Sequence, residues 1–364
     1  MKHVDAWRDP ALARRIVGRI EATVTRPWRI MEVCGGQTHA LVRFGIDQLL
    51  PDAITLLHGP GCPVCVTPTG TLDQARALAL AHGVTLCTFG DMLRVPASDG
   101  TLADAKALGA DVRVVYSPLD ALALARERGA DDPPVVFLAV GFETTAPGVA
   151  LAVRQAAAEG LASFAVLAAH VRVPPALEAL LAVDEPAMDG LLAAGHVCAV
   201  MGTAEYLPIA ARHRVPIVVT GFEPVDLLDG LLGVVEQLET GRHEVENRYR
   251  RVVRDEGTRA AREAIESVFA PVARDWRGMG PIPGSGLGLR PAFARYDARA
   301  RFGLAAADGR DDPACVAGQV LVGRAKPMDC AAFGTRCTPD HPLGATMVSS
   351  EGACAAYFRY RRPA

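Results

Sequence analysis

Eight short apolar runs, separated by alanine-rich helical stretches, constrain this chain more than any other feature. They are residues 29–33 (RIMEV), 54–58 (ITLLH), 84–89 (VTLCTF), 112–116 (VRVVY), 135–140 (VVFLAV), 164–169 (FAVLAA), 197–201 (VCAVM) and 216–220 (PIVVT). The apolar residues are continuous rather than alternating, as in strands buried on both faces of parallel sheets. Helices are predicted in the intervals at 71–82, 118–128, 146–158, 204–212 and 225–238, with Thr71 and Gln74 as a capping box on the first. This βαβα grammar predicts parallel sheets with helices on both faces. The phrase GF-E follows a strand run at Gly141 and again at Gly221, a short sign of related halves. The charged, Gly- and Pro-bearing segment RERGADDPP (126–134) is the expected boundary. The first α/β domain is then 29–129, carrying Cys34, Cys62 and Cys65, and the second is 130–240.

After residue 240 the pattern changes. Residues 243–269 read as a charged amphipathic helix or helix pair. From Trp276 onward the chain is Gly- and Pro-rich, poor in regular pattern, and holds four of the nine cysteines. A third domain, 241–364 with the N-terminal helix 1–28, is expected to be held by a metal centre in place of a large core. The fold class is therefore α/β: two small parallel-sheet domains and a loop-rich C-terminal domain with helices.

A net charge of −3 gives no reason to expect nucleic acid or an anionic membrane as partner. No apolar stretch is long enough for a membrane helix, and the charged N-terminus lacks a signal core, so a cytoplasmic protein is expected. Nine cysteines in a reducing compartment point to metal or redox chemistry rather than structural disulfides.

The unusual residues fall at strand ends, where open parallel sheets bind ligands. RIMEV runs into Cys34-Gly-Gly, and ITLLH runs into GPGCPVC with Cys62 and Cys65. VVFLAV runs into Gly-Phe-Glu143-Thr-Thr. Cys34, near a helix start, is expected to have a lowered pKa and to bind soft metals. His39 is a second ligand or proton carrier. Cys62 and Cys65 are half a metal site or a redox dithiol; no second Cys-x-x-Cys completes a zinc site, and dithiol chemistry needs only two thiols in reach. Glu143 either binds polar groups of a ligand or caps the following helix. Cys315, Cys330, Cys337 and Cys354, spaced C-x14-C-x6-C-x16-C, fit a four-thiolate zinc or iron–sulfur centre. Cys87 and Cys198 read as core residues, His196 as structural. GSGLGLR (284–290) follows no predicted strand and lacks a P-loop lysine.

The motifs MEVCGGQTHA, LLHGPGCPVCVTP, VGFETTAPGVA, HVRVPPALEALL, GHVCAVMGT and TPDHPLGATMVSSEGACAAYFRY, in this order, resemble the HypD family of [NiFe]-hydrogenase maturation factors over residues 29–360. The resemblance implies two similar α/β domains and a third carrying a [4Fe–4S] cluster on Cys315, Cys330, Cys337 and Cys354. It implies a scaffold that, with a HypC-type small partner, assembles the Fe(CN)2CO unit. In that scaffold Cys34 ligates the iron, and Cys62 and Cys65 relay electrons. A HypE-type protein delivers cyanide, and a hydrogenase large-subunit precursor receives the unit. Gln37 stands where some members have a second histidine, which leaves His39 as the imidazole, and Thr346 stands where many have a further cysteine. The alternative is a free-standing iron–sulfur thiol–disulfide oxidoreductase. A zinc-holding, nucleotide-binding module is a third reading.

Overall fold

The computed structural model describes residues 5–129, 131–306 and 308–361. Its strands, in chain order, are β1 (Trp28–Glu32), β2 (Ile54–His58), β3 (Thr85–Thr88), β4 (Val112–Val114), β5 (Val135–Gly141) and β6 (Phe164–His170). Then come β7 (Gly190–Ala194), β8 (Ile217–Thr220), β9 (Val245–Asn247), β10 (Phe269–Trp276) and β11 (Gly280–Leu289). The helices used below are α1 (Pro10–Thr23), α2 (Gly35–Arg43), α3 (Pro63–Val66), α4 (Thr69–Ala81), α5 (Val173–Leu181), α6 (Gly195–Met201), α7 (Pro224–Glu239), α8 (Arg259–Val268) and α9 (Ala353–Tyr360).

The fold is α/β with two parallel sheets, as expected. One sheet has the order β2-β1-β7-β8-β9 and the other β4-β3-β5-β6, while β10 and β11 form an antiparallel hairpin. All seven residues of β5 and of β6 are buried, which is why their apolar runs are unbroken.

The chain order of the sheets differs from the linear division at 129/130. The chain starts the first sheet with β1 and β2, leaves it to build the whole β3–β6 sheet, and returns for β7 to β9. Strand β1 is completed by β7 across Ile30↔Gly190, Met31↔Leu191 and Glu32↔Leu192. Apolar runs of the same kind pair equally well with any neighbour, so their composition does not tell an inserted sheet from a consecutive one.

Other expectations change too. VCAVM lies in α6, and the strand beside it is GLLAA, Gly190–Ala194. Helix α4 starts at Thr69 after Pro68 without a side-chain cap, and Gln74 instead donates to the Ala305 carbonyl at 2.8 Å. Of residues 243–269, three form β9 and only Arg259–Val268 is helical. The segment GSGLGL lies within β11, so the tail after Trp276 opens with a hairpin.

Residues 1–4 of the expected N-terminal helix lie outside the described residues. Helix α1 starts on Pro10, with the Asp9 carboxylate accepting from Ala11 N at 2.8 Å. It packs against α7 rather than the C-terminal region: Ile16 and Ile20 share a core with Leu227, Leu228 and Leu231. The C-terminal helix α9 lies on α2, with Tyr357 Oη 3.0 Å from His58 Nε2.

Candidate functional site

In the first sheet β1 leads to β2 on one side, while β7 leads to β8 on the other. The carboxyl ends of β1 and β7 therefore form a topological switch point, where such sheets bind ligands. Cys34 follows β1 and His196 follows β7. The fold brings Cys34 Sγ to 3.6 Å from His196 Nδ1, across 162 residues of chain. Burial lowers His196 to about 4, so its imidazole is neutral at neutral pH, the state that accepts a proton or binds a metal. Its ring leans on Phe222 at 5.3 Å.

Below Cys34, the fully buried Glu32 carboxylate receives the Cys34 amide at 2.9 Å and the Thr38 hydroxyl, and lies 2.8 Å from His58 Nδ1. Three partners fix the loop, so Cys34 is held from beneath rather than by its own side chain. Burial raises Glu32, and these partners oppose the rise. The sign was visible in the strand itself: a carboxylate inside RIMEV needs buried partners.

Cys34 stands at the start of α2 as expected, but its pKa is not lowered. Burial pushes it well above the ordinary thiol value and outweighs the Gln37 and Gly36 amides. A thiolate here needs a positive charge beside it, which a bound metal ion supplies.

His39 faces the other way. Its Nδ1 lies 2.9 Å from the Ser350 carbonyl and its Nε2 3.3 Å from Tyr360 Oη, so both nitrogens engage the C-terminal segment. The imidazole beside Cys34 is His196, which sequence reasoning had left as structural. Gln37 is buried and donates to the Ala193 and Thr220 carbonyls at 3.1 and 3.2 Å, tying α2 to the ends of β7 and β8.

The GPGCPVC loop stacks directly on Cys34. Gly35 N donates to the Gly61 carbonyl at 2.7 Å, and a Cβ on Gly61 would stand 2.1 Å from Cys34 N. Only glycine permits that approach. Gly61→Ala is expected to cost about 1–3 kcal/mol and to part the two cysteine loops. An unchanged melting temperature in that variant contradicts the packing.

Cys62 caps the one-turn helix α3, its Sγ accepting the Cys65 amide at 3.3 Å. The pair thus does sit at a helix start, closer than the sequence implied. The two thiols face different neighbours. The Cys62 side chain lies against Gly35, where a Cβ would stand 3.1 Å from Cys62 Cβ. Cys65 Sγ points to the Ala345 carbonyl at 3.9 Å. The next residue, Thr346, donates to Cys354 Sγ at 3.1 Å.

Cys354, Cys315, Cys330 and Cys337 line one small, nearly closed cavity of about 10 Å³ with Ala332, Phe333, Leu343 and Met347. Leu343 N donates to Cys337 Sγ at 3.4 Å, and a Cβ on Gly344 would stand 2.3 Å from Cys315 Sγ. Burial raises Cys315 and Cys337 and pushes Cys354 up to about 12. Among the described residues no three Cys, His, Asp or Glu side chains converge as a single ion needs. The four thiols instead surround a space.

Glu143 follows β5 at the carboxyl edge of the second sheet and turns toward the segment after β6. Oε1 receives Val173 N at 3.0 Å, so the carboxyl caps α5 rather than the helix following Glu143, and Oε2 is buried without a partner. Burial raises it to about 7. Its charge is felt by Cys198 and Tyr206, so it faces the underside of α6. One apolar cluster buries Cys34, Cys62, Cys65, Phe142 and Cys198, and the two sheet edges close on each other there. Cys87 and Cys198 are core residues, as expected.

Parallel α/β sheets that gather buried thiols at a switch point, beside a loop region with four more, define a class of cysteine-rich α/β proteins. Its particular family is given by comparison. The HypD profile, described as "Hydrogenase formation hypA family", matches residues 11–361. The chain is 48% identical over 371 residues to the hydrogenase expression/formation protein HupD of Azotobacter chroococcum mcd 1, covering 100% of this chain and 97% of the relative. It is 48% identical over 371 residues to the hydrogenase maturation factor HypD of Azotobacter vinelandii, with the same coverages. It is 46% identical over 370 residues to HypD of Escherichia coli K12, covering 100% and 99%. The chain belongs to the HypD family of hydrogenase maturation factors. Among the described residues no helix is long and apolar enough to cross a membrane.

Proposed function

We propose that this protein is the scaffold on which, with a HypC-type partner, the Fe(CN)2CO unit of a [NiFe]-hydrogenase is assembled. Cys34 anchors the iron cargo, Cys62 and Cys65 form the dithiol, and the four C-terminal cysteines hold a [4Fe–4S] cluster. The observation that carries the reading is the line of thiols. Cys62 lies against the Cys34 loop, Cys65 turns toward Ala345, and Thr346 bonds Cys354.

The residues suit those roles. Iron carrying cyanide and carbon monoxide takes soft, electron-rich donors, and Cys34 with the neutral His196 offers sulfur and nitrogen. Four thiols around a small, mostly apolar cavity suit a cluster, which spreads its thiolates over several irons, better than one tetrahedral zinc. When bound, such a cluster supplies single electrons. Thr346 and Leu343 donate hydrogen bonds to the sulfurs of Cys354 and Cys337, which stabilises them as thiolates. The dithiol of Cys62 and Cys65 gives two electrons and two protons on closing to a disulfide. Glu143, raised to about 7, exchanges protons near neutral pH under the switch-point helix.

A HypE-type protein brings cyanide, and the finished unit passes to a hydrogenase large-subunit precursor. The small partner docks beside the Cys34 loop, and cytoplasmic assembly suits reduced thiols.

Anaerobic coexpression with a HypC-type partner tests the proposal: a stable complex carrying extra iron is the expected result. No complex, with turnover of a general disulfide by the chain alone, favours the free-standing oxidoreductase. Cys354→Ser is expected to remove most of the brown colour, iron and acid-labile sulfide of the isolated chain. A variant with full sulfide content contradicts the ligand set.

A further inference from the structure

Arg277 is the tip residue of the β10–β11 hairpin, yet it is only 5% exposed. Its backbone N donates to the Val66 carbonyl at 2.8 Å, one residue past Cys65. Its Nε donates to the Thr67 carbonyl at 3.0 Å and one Nη to the Pro96 carbonyl at 3.5 Å. The other Nη lies 3.4 Å from Asp311, on the segment leading into Cys315. The guanidinium is thus buried between the dithiol loop and the approach to the four-cysteine cavity. Neutral donors would satisfy those carbonyls at lower desolvation cost, so the charge itself requires an explanation.

Asp311 offsets only part of that charge. Its side chain is 49% exposed against 3% for Arg277, so water screens the carboxylate more than the cation. Toward the protein interior the positive field dominates. The hairpin tip also lies against the turn that follows Cys315: a Cβ on Gly278 would stand 2.4 Å from Gly318 Cα.

We propose that Arg277 is a positioning residue that tunes the four-cysteine centre, its buried charge favouring the reduced state of whatever iron–sulfur group those thiolates hold. The proposal rests on the cluster reading above. Reduction adds one electron and no proton, and so one negative charge, to a site already ringed by four thiolates. A fixed cation nearby makes that addition easier. The same hairpin tip holds the Cys62–Cys65 loop in place through Val66 and Thr67, so charge and position come from one side chain.

The test is a redox titration of the anaerobic full-length chain with dithionite as electron donor, followed by electron paramagnetic resonance. Arg277→Gln is expected to lower the reduction equilibrium constant about tenfold, roughly 59 mV for one electron. Arg277→Lys, which keeps the charge, is expected to stay near the wild type. Asp311→Asn, which removes the opposing carboxylate, is expected to shift the midpoint upward. A wild-type midpoint in Arg277→Gln with full iron content, or an equal fall in Arg277→Lys, overturns the proposal. Should Arg277→Gln fail to fold, Asp311→Asn decides alone: a rise supports the charge role, and no change or a fall overturns it. A wild-type chain without acid-labile sulfide defeats the cluster reading instead, and the two failures are told apart by that assay.

Discussion

Replacing Cys34 by alanine is expected to abolish retention of cargo iron while leaving C-terminal iron and sulfide unchanged. The thiol is 1% exposed and raised by burial, so it ionises only when a positive centre sits beside it. Removing it leaves the His196 imidazole, 3.6 Å from the sulfur, and a single imidazole holds iron weakly. The fold survives the change, because the loop is held by Glu32 through the Cys34 amide, not the thiol. His196→Ala, which keeps the thiol, is expected to weaken iron retention by roughly 10–100-fold. Metal analysis of the complex with the small partner, alongside sulfide content, checks both. Wild-type iron in Cys34→Ala means that the anchor lies elsewhere.

Cys62→Ala is expected to leave the iron–sulfur content intact and to stop ligand assembly. The Cys62 side chain packs against Gly35, next to Cys34, while Cys65 faces the loop that bonds Cys354. Removing Cys62 breaks the line at its iron end without touching the four-cysteine cavity. A single remaining thiol cannot close to a disulfide, so the two-electron step is lost entirely rather than slowed. Single-cysteine chemistry by Cys65 is disfavoured as well, since burial alone raises its thiol above the ordinary value. Full maturation activity in Cys62→Ala, measured as hydrogenase activity in a complemented strain, contradicts the relay.

Much of the placement of the candidate residues was legible in the sequence. Continuous apolar runs gave seven of the eight proposed strands, and chemistry at their carboxyl ends gave Cys34, Cys62, Cys65 and Glu143. Two five-residue runs lying close together, GLLAA and VCAVM, were not separable by pattern. Burial in a sheet made one a strand, and Gly202 at φ 80° closes the other as a helix. The partner of Cys34 was hidden for the same reason. Pairing of β1 with β7 joins segments far apart in sequence, and nothing local to His196 records it. Conversely, His39 is close to Cys34 in sequence, but the turn of α2 directs it toward Ser350 and Tyr360. The lowered pKa expected of Cys34 failed because a helix N-terminus contributes less than complete burial removes. The hairpin β10–β11 was obscured by its glycines and prolines, which read as loop although they pair across seven positions.

The central claim is that Cys34 seats the iron while cyanide and carbon monoxide are attached. Infrared spectroscopy of the anaerobically purified complex with a HypC-type partner tests it most directly. The account expects bands in the metal-bound CO and CN region for the wild type, absent in Cys34→Ala. Bands that persist in Cys34→Ala, or a wild-type complex without them in cells that mature hydrogenase, would contradict it.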